Sequence, residues 1–120
     1  MTKSDIQRLV AYLGHILDAI ERCLECVEDV DEVAFLQYRK TQDAVIRTLE
    51  VIGEASNNIR KHYPEFVQQH PEAPFCSAYG MRNALSHGYF EVDFELIWKT
   101  IHEDLPELYD RLNQLLSSME

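Results

Sequence analysis

Residues 4–27 read SDIQRLVAYLGHILDAIERCLECV, and their apolar side chains fall on one face of a helix. Ile6, Leu9, Val10, Leu13, Ile16, Leu17, Ile20, Leu24 and Val27 recur every three to four residues, the spacing that stacks side chains on one helical face. Ile6, Leu13, Ile20 and Val27 stand seven apart, a seam suited to packing against a near-antiparallel neighbour. Ser4, with Gln7 three residues on, has the form of a capping box and sets the predicted start. So long a helix with one apolar face needs other helices to cover it. The stretch therefore points to a bundle.

The same period recurs downstream. Asp31 is placed to cap a short helix carrying Val33, Ala34, Phe35 and Leu36. A longer helix is predicted from about Thr41 to Lys61, with Val45, Leu49, Ile52 and Ile59 as its stripe. Gly53 interrupts that stripe; a mid-helix glycine costs about 1 kcal/mol against alanine and usually marks a close helix-to-helix approach. Tyr63-Pro64 ends the helix, because a residue before proline is pushed out of the helical region. Pro64 to Pro74 reads as the longest irregular segment, with one turn around Glu65-Phe66-Val67. Asp93 can cap a last helix whose stripe is Phe94, Ile97, Trp98, Ile101, Leu105, Leu108, Leu112 and Leu115. Pro106 should kink or divide it. Period-two alternation is not sustained anywhere. The expectation is an all-α, up-and-down bundle of four to five helices with no sheet, one domain over residues 1–120.

Composition narrows the function classes. No apolar run approaches the roughly 20 residues of a bilayer span, and no signal-peptide core opens the chain, so a soluble cytoplasmic protein is expected. The net charge of −10 opposes a domain that grips long nucleic acid through its whole surface. Acid gathers in Glu21, Glu25, Glu28, Asp29, Asp31 and Glu32, which reads as a solvated tip or, less simply, as a face for a basic partner. Cys23-x-x-Cys26 lies inside the first helical pattern, and no second pair completes a zinc site. Free buried thiols are the simpler reading.

Chemically competent side chains crowd together in one place, Met81-Arg82-Asn83-Ala84-Leu85-Ser86-His87-Gly88-Tyr89-Phe90. Phe75, Ala78, Met81 and Leu85 would face a core, leaving Tyr79, Arg82, Asn83 and Ser86 on the other side of that helix. Gly88 reads as the helix-ending glycine. That places His87 in the last turn, where the dipole favours its protonated form. Arg82 and His87 are about 140° apart around an ideal helix, so an unwinding last turn could bring them together. Glu54, beside Gly53, reads equally as a carboxylate reaching Arg82 or as an exposed acid. Read from the residues alone, Arg82 could equally serve a structural ion pair and His87 a helix cap.

Arg82…His87-Gly88-Tyr89 matches Arg-x4-His-x-Tyr, and the chain resembles the HepT-like ribonuclease toxins of the HEPN superfamily. Arg47-Thr48-Leu49-Glu50-Val51-Ile52-Gly53-Glu54-Ala55 is similar to that family's R-x-L-x-x-I-G-E-A segment. Tyr89 to Asp93 and the run from Trp98 to Leu108 follow in the expected order. One departure is Ala73-Pro74-Phe75, where the family usually has Ile-Pro-Trp. The resemblance implies a metal-independent endoribonuclease, the toxin of a type II/VII-like toxin–antitoxin pair, with RNA as substrate and no cofactor. It implies catalytic roles for Arg82 and His87 and a symmetric homodimer; by position, Asn83, four residues before His87, could orient the ring or bind phosphate, and Glu54 could support Arg82. It also implies a nucleotidyltransferase antitoxin that transfers AMP onto Tyr89. The other class in play is a non-catalytic helical module that binds a nucleotide or a partner. His15, His62, His70 and His102 lack a matched partner in sequence, and Trp98 reads as core.

Overall fold

Thr2 opens the first helix of the computed structural model, in which residues 1–75, 78 and 92–119 are described. Helix α1 spans Lys3–Cys26. The Thr2 hydroxyl accepts from the Asp5 backbone N–H at 3.1 Å, and the Asp5 carboxylate accepts from the Thr2 N–H at 3.1 Å. This reciprocal pair replaces the expected Ser4–Gln7 box. Its advantage is a negative charge at the positive end of the helix, which a glutamine lacks. The Thr2 backbone N–H, then the Thr2 side chain, holds the Asp5 carboxyl below its ordinary range.

Helix α2 (Glu32–Phe35) is capped as expected: Asp31 accepts from the Ala34 N–H at 2.8 Å. Helix α3 (Arg39–His62) starts two residues before the predicted Thr41 and matches α1 in length, 24 residues each. The two run antiparallel. Asp5 and Arg8 from the start of α1 line one cleft with His62 and Tyr63 from the end of α3. At the other end Cys23 hydrogen-bonds Thr48.

Leu9, Leu13, Ile16 and Ile20 of α1 meet the core with Val45, Leu49, Ile52 and Ile59 of α3, all fully buried. Each such side chain contributes about 1.5–3 kcal/mol by leaving water. The buried seam begins at Leu9, because Ile6, in the first turn of α1, is 37% exposed. Gly53 is buried, as its place in the stripe anticipates.

Part of the stretch read as irregular is helical. Helix α4 (Pro64–Gln69) places Pro64 at its first position, where a missing N–H leaves nothing unsatisfied. Phe66 holds it down, buried and 6.2 Å from the Phe75 ring centroid. After residue 91 come α5 (Phe94–Lys99), a π-helical segment (Thr100–Asp104) and α6 (Leu105–Met119), without a break between them. Asp93 caps α5 by accepting from the Leu96 N–H at 3.1 Å.

The expected division at Pro106 takes the form of that π segment. In a regular helix the proline ring would strike the carbonyl four residues back, and the widened turn just ahead relieves the clash. Its Leu105 N–H reaches back to the Thr100 carbonyl. Trp98 is half-buried rather than core: its ring packs 5.2 Å from Phe35, and the other side meets the exposed His102 at 4.1 Å. All six acids of the α1–α2 tip are exposed. No strand occurs among the described residues, and no described helix is long and apolar enough to cross a membrane.

Candidate functional site

Arg82, Asn83, His87 and Tyr89 lie outside the described residues, and Glu54 lies within them, exposed on α3. What the described residues show is how the 79–91 stretch is fastened at its two ends. On the entry side, Ala73, Phe75 and Ala78 are all buried, as the apolar spacing of Phe75 and Ala78 predicts. The Ala78 N–H donates to the Pro74 carbonyl at 3.1 Å, a helical i→i−4 bond at the predicted start of the motif helix.

Arg111, on α6, fixes that entry from outside. Its guanidinium donates to the Glu72 carbonyl at 3.0 Å and to the Glu107 carboxylate at 2.6 Å. The His70 ring stacks on Phe66 with centroids 4.6 Å apart, and its Nδ1 lies 3.0 Å from the Glu72 carboxylate. Glu72's own backbone N–H, then His70, holds that carboxyl below its ordinary range. A cleft of about 300 Å³ opens here between Pro74 and Ala78 on one side and Leu105, Leu108 and Arg111 on the other.

On the exit side Val92 packs against the core and Asp93 is held by its cap on α5. Of the described flanking residues, Glu72 is thus held by Arg111 of α6, and Asp93 caps α5. Arg111 was not singled out by sequence reading. Its i,i+4 partner Glu107 is legible from spacing, but its hold on Glu72, 39 residues away, exists only in the fold.

Cys23 and Cys26 are both free thiols, Cys23 buried and Cys26 half-buried. Desolvation pushes the Cys23 thiol up to about 11, opposed by its hydrogen bond with Thr48. Among the described residues no group of three or more His, Cys, Asp or Glu is placed to hold a metal ion.

The sequence relates the chain to known proteins over nearly its whole length. The model of the family described as ribonuclease HepT-like matches residues 16–115, a span that includes Glu54, Arg82, Asn83, His87 and Tyr89. A Thermococcus cleftensis protein named "Probable ribonuclease HepT" is 44% identical over 104 residues, 87% of this chain and 92% of that protein. A Methanocaldococcus jannaschii protein named "Putative RNase MJ1380" is 37% identical over 90% of this chain and 94% of its own length. A Caldanaerobacter subterraneus protein named "Putative RNase TTE0752" is also 37% identical, over 88% of this chain and 91% of that one. No solved structure matches the chain. With an all-α bundle among the described residues and a family match covering residues 16–115, the chain belongs to the ribonuclease HepT-like family.

Proposed function

We propose that the protein is a metal-independent endoribonuclease, the toxin of a toxin–antitoxin pair, with Arg82 and His87 as its catalytic residues. The observation that carries the reading is Arg82…His87-Gly88-Tyr89 lying inside the residues matched by a ribonuclease family. RNA cleavage by its own 2′-hydroxyl makes three demands. The hydroxyl gives up a proton, its oxygen bonds to phosphorus, and the 5′-oxygen leaves and takes a proton. The product is a 2′,3′-cyclic phosphate, which water opens to a 3′-phosphate.

An imidazole suits the proton transfers, because its ordinary pKa lies near 6.5. A guanidinium keeps its charge and offers a planar fork of donors for the phosphate oxygens as negative charge builds. Asn83, four residues before His87, would orient the ring or bind phosphate. Glu54, on α3, would steady Arg82. A single such set on a protein of net charge −10 gathers little positive potential, so a symmetric homodimer that sets two sets side by side fits the chemistry.

Tyr89 is the proposed point of control. AMP transferred to its hydroxyl by a nucleotidyltransferase antitoxin would bring a phosphate to compete for Arg82, and its nucleoside would obstruct substrate. The test is cleavage of total RNA by the purified chain in EDTA. Arg82→Ala and His87→Ala should each lower the rate by about 10²-fold or more. Tyr89→Phe should stay active and escape the antitoxin, while the co-expressed wild-type pair carries AMP on Tyr89 by mass spectrometry. Undiminished cleavage by His87→Ala, or strict dependence on Mg²⁺, defeats the catalytic assignment. AMP on another tyrosine defeats the regulatory one.

A further inference from the structure

The charges of this molecule are segregated along the α1–α3 hairpin. At the tip, residues 18–32 hold seven acids and one base. At the opposite end, residues 1–12 and 57–66 hold four bases, Lys3, Arg8, Arg60 and Lys61, against two acids, Asp5 and Glu65. A cleft of about 220 Å³ lies at that end, lined by Asp5, Arg8, Tyr12, His62 and Tyr63.

Four of the bases elsewhere are paired, while Arg39 and Lys40 at the start of α3 are exposed and make no ion pair among the described residues. Arg22 pairs with Asp18 at 3.3 Å, Arg47 with Glu50 at 3.8 Å, Lys99 with Glu103 at 3.9 Å and Arg111 with Glu107 at 2.6 Å. Arg8 and Lys61 are exposed and make no ion pair among the described residues. The Asp5 carboxylate, the one acid lining the cleft, accepts from the Thr2 N–H at 3.1 Å and is also drawn, more weakly, by the Arg8 charge. The helix dipole accounts for bases in the last turn of α3. It does not account for Arg8 and Tyr12 on the facing helix.

We propose that this cleft binds the sugar–phosphate backbone of single-stranded RNA, as a contact separate from the Arg82–Tyr89 stretch. The inference rests on reading the chain as a ribonuclease. Arg8, which lines the cleft, and the exposed Lys61, next in sequence to the lining residue His62, supply charge for phosphates. The half-buried Tyr12 and Tyr63 supply hydroxyls and ring edges on a wall held by the core. On a molecule of net charge −10, such a patch also decides which end a polyanion approaches, since the acidic tip repels it.

The experiment is titration of a short fluorescent single-stranded RNA with full-length His87→Ala protein, which preserves the substrate, between about 50 and 200 mM salt. In that background Arg8→Gln with Lys61→Gln should weaken binding roughly tenfold or more. The slope of log K against log salt should fall by about 1.4, or 0.7 for each lost phosphate contact on a single strand. Arg22→Gln with Lys99→Gln removes the same net charge from ion-paired positions and should leave affinity and slope close to the parent's. Thermal melting verifies that the substituted proteins are folded. If the wild-type chain cuts RNA but the Arg8/Lys61 pair binds as tightly as the parent with the same slope, the cleft is not an RNA contact and the ribonuclease reading stands. Equal losses from both pairs also overturn the cleft, because bulk charge then explains the effect. A wild-type chain that neither binds nor cuts RNA removes both readings together.

Discussion

Cys23 shows how far one buried side chain departs from what its spacing suggests. Cys23-x-x-Cys26 looks like half a metal site, yet Cys23 faces the α1–α3 core and Cys26 only half enters it. Burial favours the neutral thiol and pushes Cys23 from 9.0 up to about 11. The folded state therefore holds the proton more tightly than the unfolded chain. That stabilisation is fully present below about pH 9 and is lost as pH rises toward about 11. Over that window the loss amounts to about 2 to 3 kcal/mol. Urea denaturation at pH 8 and pH 10.5 should show the fall in the wild type and a distinctly smaller one in Cys23→Ala, where no thiol titrates. An equal fall in both would place the alkaline sensitivity elsewhere. Glu54 makes the complementary point about legibility. Its place beside Gly53 left two readings open, a carboxylate reaching Arg82 or an exposed acid, and in the fold it is exposed on α3.

At the scale of elements, periodicity anticipates what packs and misses how ends are finished. The stripes of α1 and α3 are buried as read, since apolar side chains at helical spacing have no better place than against each other. The start of α1 was misplaced because Thr2–Asp5 and Ser4–Gln7 have the same spacing, and only charge at the helix dipole separates them. The turn read around Glu65-Phe66-Val67 extends to the six residues of α4, and its full length was not legible because its anchor, the contact of Phe66 with Phe75, joins residues distant in sequence.

The last helix is the sharpest case. Its apolar positions keep one α-helical phase from Phe94 to Leu115, but α5 packs on α2 through Phe35 while α6 packs on α1. The π segment before Pro106 permits two halves of one stripe to address two neighbours. Pro106 then sits at the second position of α6 with its clash relieved. An unrelieved proline in a helix interior costs about 3 kcal/mol. Pro106→Ala should therefore change stability by less than about 1 kcal/mol in urea denaturation. A gain near the full value would mean that the widened turn does not accommodate the ring.

For the whole molecule the bundle was legible, because two long amphipathic helices and a third at the end leave few other ways to bury their faces. The sequence offers the candidate site as a set of residue types and a spacing that lie outside the described residues, while the hold of Arg111 on Glu72 depends on the fold. Charge adds a consequence that neither stripe nor motif contains. Seven acids and one base in residues 18–32 repel one another across the exposed tip in the folded state and are further apart in the unfolded chain. Salt shortens the reach of that repulsion, from about 30 Å at 0.01 M to about 3 Å at 1 M. Added NaCl should therefore raise the melting temperature, and the same salt should weaken RNA binding, because phosphate contacts are exchanged for counterions. The two effects have opposite signs and come from opposite ends of the hairpin, so they should separate by substitution. Glu25→Lys with Glu28→Lys should flatten the salt dependence of melting and raise stability at low salt by roughly 1 kcal/mol. A melting temperature that falls with salt in the wild type would mean that favourable ion pairs, such as Arg22–Asp18, outweigh the repulsion of the tip.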